Sequence, residues 1–349
     1  MAFDTFPTLD WLDGELDPTV DVKTLDGVIA ELASQPQHLA TTLALVIVHN
    51  GRIVREFYGP ETDASTTLIS WSMAKSITQA LVGMAVGDGL LSITDDHLFP
   101  EWEHDDRASI TLGNLLNMSS GLEWVEDYID DKSSDVIEML FGNQKFVGDH
   151  AAYAASKNLE AQPGTKYLYS SGTTNLVTKI LSRALGEQPG STDAMSKFIK
   201  ERLFEPLGMR SAIPRFDDSG NFVGSSYVYA TARDFARFGY LYLNDGIWNG
   251  SRLLPEGWVD YSRTSVARDP DNNLDYGAHV WMFPNDPGSI AALGYEGQFT
   301  WASPRRNLVV VRLGKTNAEY GPQLRSELSK IVGAFPAQAS DFGNDGDHG

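Results

Sequence analysis

Two runs rich in β-branched and aliphatic residues, 42–48 and 53–58, stand on either side of His49-Asn50-Gly51-Arg52. Asn-Gly between such runs supplies the positive-φ pair that a tight turn needs, so the pattern predicts a β-hairpin. From 76 to 90, alanines and aliphatics recur at helical spacing and stop at Gly87-Asp88-Gly89, which predicts a helix ended by glycine. The same period returns at 111–118, 174–185, 195–203 and 232–243. Thr231 and Asp234 have the residue types of a capping box at the start of the last of these. Gly121, closing the 115–121 segment, has the type of a C′ glycine. Late strands are predicted at 277–283, 297–302 and 307–313, the last two joined by Pro304-Arg305-Arg306, with a final amphipathic helix over 322–332. Strands at both ends with helices between predict an α+β chain. The termini build one sheet and the middle forms a helical insertion.

Composition narrows the picture. With 349 residues and 42% hydrophobic content the chain can bury a full core. It has 27 basic against 47 acidic residues, net −20, a surface that repels phosphate backbones and anionic lipid. Nucleic acid and membrane are therefore not expected partners. The absence of cysteine removes disulfides, thiolate nucleophiles and Cys-ligated metals. Residues 1–16 are acidic and do not read as a secretory signal. Apolar stretches such as 80–86 fall far short of the ~20 residues that span a bilayer. The expected location is the cytoplasm. No fixed-period repeat interrupts the chain, and a Gly/Asp-rich tail, 337–349, is expected to fray.

Several hydrolytic signatures are missing: no G-x-S-x-G, no His-Glu-x-x-His and no phosphate-binding loop. What remains is Ser72-Met73-Ala74-Lys75. Three residues along a helix is nearly one turn, so Ser72 and Lys75 share a face. A serine hydroxyl needs a base at neutral pH, and a lysine serves as one only when burial disfavours its ammonium form. Tyr169, in Tyr169-Ser170-Ser171, is a second candidate for handling the serine's proton, provided positive charge lowers its pKa. Gly294-Tyr295-Glu296-Gly297-Gln298 precedes a strand, where a backbone N–H beside the Ser72 amide would form an oxyanion hole. Trp71, Trp124, Trp281 and Trp301 flank these segments and suit either an apolar cleft or core packing. His279 is not required by Ser-Lys chemistry.

At these residues the chain resembles the penicillin-recognising serine hydrolases: class C β-lactamases, D-amino-acid carboxypeptidases and related esterases. The matching pieces are Ser72-x-x-Lys75, 115–121, Tyr169-Ser170-Ser171, 230–239 with Asn249-Gly250-x-Arg252-Leu253-Leu254-Pro255, and 294–298 before Trp301-x-x-Pro304-Arg305. They fall in family order over about residues 43–316. Trp124-Val125-Glu126-Asp127-Tyr128-Ile129-Asp130, followed by Ser134-Asp135-Val136, is more specifically similar to a segment of 6-aminohexanoate-dimer hydrolases. The resemblance implies a β-lactamase/transpeptidase-like fold, an antiparallel sheet flanked by helices plus an all-helical subdomain. The α/β part would span about 20–95 and 255–335, and the helical part about 96–254.

The resemblance further implies Ser72, Lys75 and Tyr169 as catalytic residues, with Tyr128, Ser171, Tyr295, Gly297, Gln298 and Trp281 binding substrate. It implies no cofactor and no metal. The expected partner is a small-molecule ester or amide; a homodimer stays open. Two positions depart from the wider family. Ser171 stands where an Asn is common, and Tyr295 where Lys or His is common, which disfavours a substrate carboxylate and removes one charge from around Tyr169. Esters and linear amides are accordingly expected ahead of β-lactams. Acyl transfer on the same nucleophile, or an inactive binding or scaffold protein of the same fold, are the alternatives.

Overall fold

The computed structural model describes residues 6–128, 134–142 and 146–338. Its main sheet has eight strands: β1 (Thr41–His49), β2 (Arg52–Tyr58), β3 (Ala267–Arg268), β4 (Asp275–Tyr276), β5 (Trp281–Met282), β6 (Ile290–Gly294), β7 (Gln298–Ser303) and β8 (Leu308–Lys315). The expected hairpin forms between β1 and β2, with Asn50 and Gly51 at φ 51° and 74°. Strand β8 pairs with β1 from Thr41↔Lys315 to His49↔Leu308, so both ends of the chain meet in one sheet. The order is β2-β1-β8-β7-β6-β5-β4-β3, and every neighbouring pair is antiparallel.

Helices cover both faces, which is why the central strands read as nearly continuous apolar runs. Leu45, Ile47 and Val310 point to one core with helices α1 (Val22–Ser34) and α5 (Gly321–Gly333). Val46, Val48 and Val311 point to the other with α2 (Met73–Gly87) and α4 (Ala232–Leu243). Helix α3 (Ser171–Ala184) and shorter helices at Leu112–Leu116, Asp135–Phe141, His150–Ala155 and Asp193–Ile199 make up most of the middle of the chain. Helix α4 falls in the range expected for the helical part, yet it packs on β1, β7 and β8. Gly239 permits this approach: a Cβ there would lie 2.7 Å from Val309 Cγ1.

Several local expectations change in three dimensions. The strand expected over 277–283 shrinks to Trp281–Met282 because the preceding amides turn elsewhere. Ala278 N–H donates to Ser262 O and His279 N–H to Leu116 O, and His279 adopts φ 54°. Strand β6 and helix α1 went unrecognised in the sequence. Gly121 is not a C′ glycine: the helix ends at Leu116, Met118 takes the left-handed conformation, and a Cβ on Gly121 would collide with Ala161 O at 2.3 Å. Nor do Thr231 and Asp234 make a full capping box. Thr231 Oγ1 accepts Asp234 N–H, but Thr231 N–H donates to Ser211 Oγ and the Asp234 carboxylate binds Arg237 at 2.6 Å.

Among the described residues no helix is long and apolar enough to cross a membrane. Within the tail expected to fray, residues 339–349 lie outside the described residues.

Candidate active site

The segment entering α2 is clamped on both sides. Leu68–Ile69 pairs with Val228–Ala230, Ser70 N–H donates to Val228 O at 2.8 Å, and Ser70 Oγ donates to Ser226 O at 3.2 Å. Trp71 then takes φ 44°, a left-handed conformation costly for a bulky side chain and characteristic of over-determined functional turns. Ser72 follows at the N-cap position, but its hydroxyl caps no amide. Its oxygen lies 3.0 Å from Lys75 Nζ, which donates to it as an ammonium and accepts its proton as a neutral amine. The Ser72 N–H has no backbone partner among the described residues.

Lys75 is 2% exposed. Its Nζ also reaches Ser171 Oγ at 2.9 Å and Ser225 O at 3.0 Å. Burial pushes its pKa down to about 8, against an opposing pull from the Glu126 charge. Near that pH the amine is substantially neutral, with two N–H groups and one lone pair for three polar neighbours. The loop bearing Ser225 can lie this close because Gly224 has no side chain; a Cβ there would meet Thr78 Oγ1 at 2.2 Å.

Tyr169 shares a hydrogen bond with Ser72, and its ring centroid is 4.9 Å from Lys75 Nζ. Its pKa is raised, first by burial and then by the Glu126 charge, with the Ser72 bond opposing. The expectation that positive charge would lower it is overturned: burial, and after it the Glu126 charge, raise it. Tyr169 is a neutral phenol, able to relay a proton but not to act as a standing base.

Ser72 and Tyr169 open onto a cavity of about 450 Å³ lined also by Tyr128, Trp281, Tyr295 and Gly297. The Tyr128 and Tyr295 rings stack across it at 4.8 Å, and Tyr295 meets Trp71 edge-on. Ile129 and Asp130, which continue the Tyr128 segment, lie outside the described residues. Two residues expected to bind substrate are turned inward. Ser171 is fully buried between Lys75 and Glu126. The Gln298 side chain is 2% exposed and bonds Tyr295 O, Gly314 O and Gly314 N, which leaves only its main chain for the site. His279 is likewise internal: Leu116 O lies 2.7 Å from Nδ1 and Thr174 Oγ1 2.9 Å from Nε2, and burial pushes its pKa down to about 3.

The sheet edge reaches the start of α2 through Gly294, where a Cβ would stand 2.3 Å from Ser70 O. Arg312 then holds the following turn. Fully buried on β8, it donates to Glu296 O (3.1 Å), Gly297 O (2.8 Å), Thr41 O (3.1 Å), Thr316 Oγ1 (2.8 Å) and Thr42 Oγ1 (3.3 Å). Sequence reasoning passed over Arg312, although a lone cation inside the run 308–313 was a visible signal. Arg312→Met removes all five donors and leaves buried carbonyls unpaired. Differential denaturation should register a loss of about 3–5 kcal/mol. A change under about 1 kcal/mol would mean that water replaces the guanidinium.

Comparison with known proteins agrees with this architecture. The family model described as Beta-lactamase matches residues 25–330. A 6-aminohexanoate-dimer hydrolase from Paenarthrobacter ureafaciens is 24% identical over 315 residues, 85% of this chain and 79% of that protein. A candidate 6-aminohexanoate-dimer hydrolase from Bacillus anthracis superposes with TM-score 0.75 at 21% identity, covering 96% of this chain and 91% of the other. A family VIII carboxylesterase superposes with TM-score 0.68 at 14% identity, covering 91% and 99%. At these identities the two superpositions establish the fold, which is β-lactamase/transpeptidase-like.

Proposed function

The chain belongs to the beta-lactamase family, and from that premise we propose that it is a serine hydrolase cleaving small ester or linear amide bonds through an acyl-enzyme on Ser72. The observation that carries this reading is the 3.0 Å contact between Ser72 Oγ and a desolvated Lys75 amine. Neutral Lys75 takes the Ser72 proton as the oxygen bonds to the carbonyl carbon. The Ser72 N–H and a main-chain N–H at 297–298 stabilise the oxyanion. Tyr169, held neutral by burial, passes a proton to the leaving group. Water then releases the acyl group.

The substrate class follows from the cavity wall. Among the described residues, Glu126, Asp269, Asp271 and Glu296 line it against one cation, Arg325. Arg325 is itself occupied by Asn272. Tyr295 offers an aromatic face at the turn, so a substrate carboxylate finds repulsion there. Esters, and linear amides whose carboxylate is remote from the scissile bond, suit the wall better than penicillins, in line with the names carried by two of the similar proteins.

Turnover of p-nitrophenyl butyrate, a 6-aminohexanoate linear amide and nitrocefin tests the reading. The ester or the amide should exceed nitrocefin in kcat/KM by at least about tenfold, and a fluorophosphonate should label Ser72. Faster nitrocefin turnover would overturn the substrate class. Absence of both labelling and turnover would overturn the enzyme.

A further inference from the structure

Glu126 lies behind Lys75, one hydroxyl away. Its Oε1 accepts from Ser171 Oγ at 2.5 Å and from Tyr128 OH at 3.1 Å. Its Oε2 accepts from Ser171 N–H at 2.8 Å and from Trp124 Nε1 at 2.5 Å. A continuous chain therefore runs from Ser72 Oγ through Lys75 Nζ and Ser171 Oγ to Glu126. We propose that Glu126 is a positioning residue of this site: through Ser171 it orients the Lys75 amine and compensates the charge Lys75 acquires on deprotonating Ser72. The inference rests on the reading of Ser72 and Lys75 given above.

Proton counting fixes the directions. Ser171 has one hydroxyl proton, and Glu126, which accepts only, takes it. The Ser171 lone pairs therefore face Lys75 and must receive one of its N–H groups. Ser225 O receives the other. The lone pair left over on neutral Lys75 points at the Ser72 hydroxyl. When the Ser72 O–H bond breaks, the proton forms the third N–H of an ammonium, while the Ser72 electron pair forms the bond to the acyl carbon. The carboxylate one hydroxyl away then faces a full positive charge, as the third member of a catalytic triad faces its imidazolium.

The carboxylate is itself rigidly held. Gly172, in the first turn of α3, has no side chain, and a Cβ there would stand 2.5 Å from Trp124 Cζ3. The indole can thus lie against the helix and direct its N–H at Glu126. Asp135 accepts the Val125 N–H at 2.8 Å, which anchors the segment one residue earlier. The positive end of the 14-residue α3 faces the same carboxylate. Other titratable groups around Lys75 and Glu126 are Tyr128, Tyr169, Tyr276 and His279, with Asp269 and Glu296 on the cavity wall. The four ring groups are kept uncharged by burial. Of all these, Glu126 supplies the charge that acts on Lys75.

The test is the pH dependence of kcat and kcat/KM for p-nitrophenyl butyrate in the wild type, Glu126→Gln, Ser171→Ala, the double variant and Ser72→Ala. In Glu126→Gln the plateau kcat should fall about 10- to 100-fold, with KM within about twofold. Its acid limb should move to lower pH by roughly one unit, because Lys75 releases its proton more readily without the neighbouring negative charge. Ser171→Ala should also lower the plateau, and the double variant should be no slower than the slower single one, because the two groups act as a unit. A purely structural glutamate would not move the limb in this direction. An unchanged plateau in folded Glu126→Gln, or a limb that stays or rises, overturns the proposal. If Glu126→Gln does not fold, Ser171→Ala decides: an unchanged plateau there overturns it equally. Ser72→Ala separates the two levels. If that variant remains active, the underlying nucleophile reading has failed; if it is inactive while Glu126→Gln behaves as wild type, only the role of Glu126 has failed.

Discussion

Ser72→Ala should lower ester turnover by about 10³- to 10⁶-fold, equivalent to about 4–8 kcal/mol of transition-state stabilisation. The loss is large because the oxygen that would carry the acyl group is gone. What survives is the rate due to oxyanion donors and binding alone. The fold should not suffer. The Ser72 hydroxyl caps no helix amide, and its partner Lys75 keeps Ser171 and Ser225 O. Fluorophosphonate labelling should vanish while the thermal transition stays within a few degrees of wild type. A variant retaining more than a tenth of the wild-type rate would remove Ser72 from the mechanism.

Lys75→Ala should cost about 10²- to 10⁴-fold in kcat/KM, the usual worth of a positioned general base. Lys75→Arg should be no better, since a guanidinium cannot give up its proton near neutrality and its planar fork does not fit a site shaped for an ammonium. The wild-type pH profile supplies the complementary measurement. The base works only when neutral, and burial sets its pKa at about 8. Activity should therefore rise with pH through about 8 and level off above it, falling about tenfold per unit well below that value. Stopped assays from pH 5 to 10 with p-nitrophenyl butyrate would trace the limb, corrected for alkaline hydrolysis of the ester. A profile flat from pH 6 to 10 would mean that Lys75 is not the titrating base.

Features encoded within a few neighbouring residues were legible without coordinates. The Asn50-Gly51 turn announced the β1–β2 hairpin, and Thr231 marked the start of α4. The spacing of Ser72 and Lys75 placed one above the other on a helical turn, as the 3.0 Å contact bears out in geometry. Ordered motifs across most of the chain pointed to the family, and the family in turn to the fold. These are short-range matters, settled by φ/ψ preference, by a period of 3.6, or by residue identity alone.

Other features depend on which distant groups the chain brings together. Tyr169 carries a raised pKa because the fold buries it and then sets Glu126 beside it, and no reading of 167–171 by itself contains either effect. Ser171 and Gln298 turn away from the cavity because Lys75 with Glu126, and Gly314, offer them better partners inside. Ser225 contributes a carbonyl rather than its side chain, so residue type gives no hint of its part. Arg312 stood out as a charge in an apolar strand, but only packing reveals the five acceptors that hold it. By itself the sequence determined where many of the helices and strands form and which serine and lysine share a turn. Tertiary structure decided the protonation state of each group and the direction of each side chain, because desolvation and charge act through space between segments that are remote along the chain.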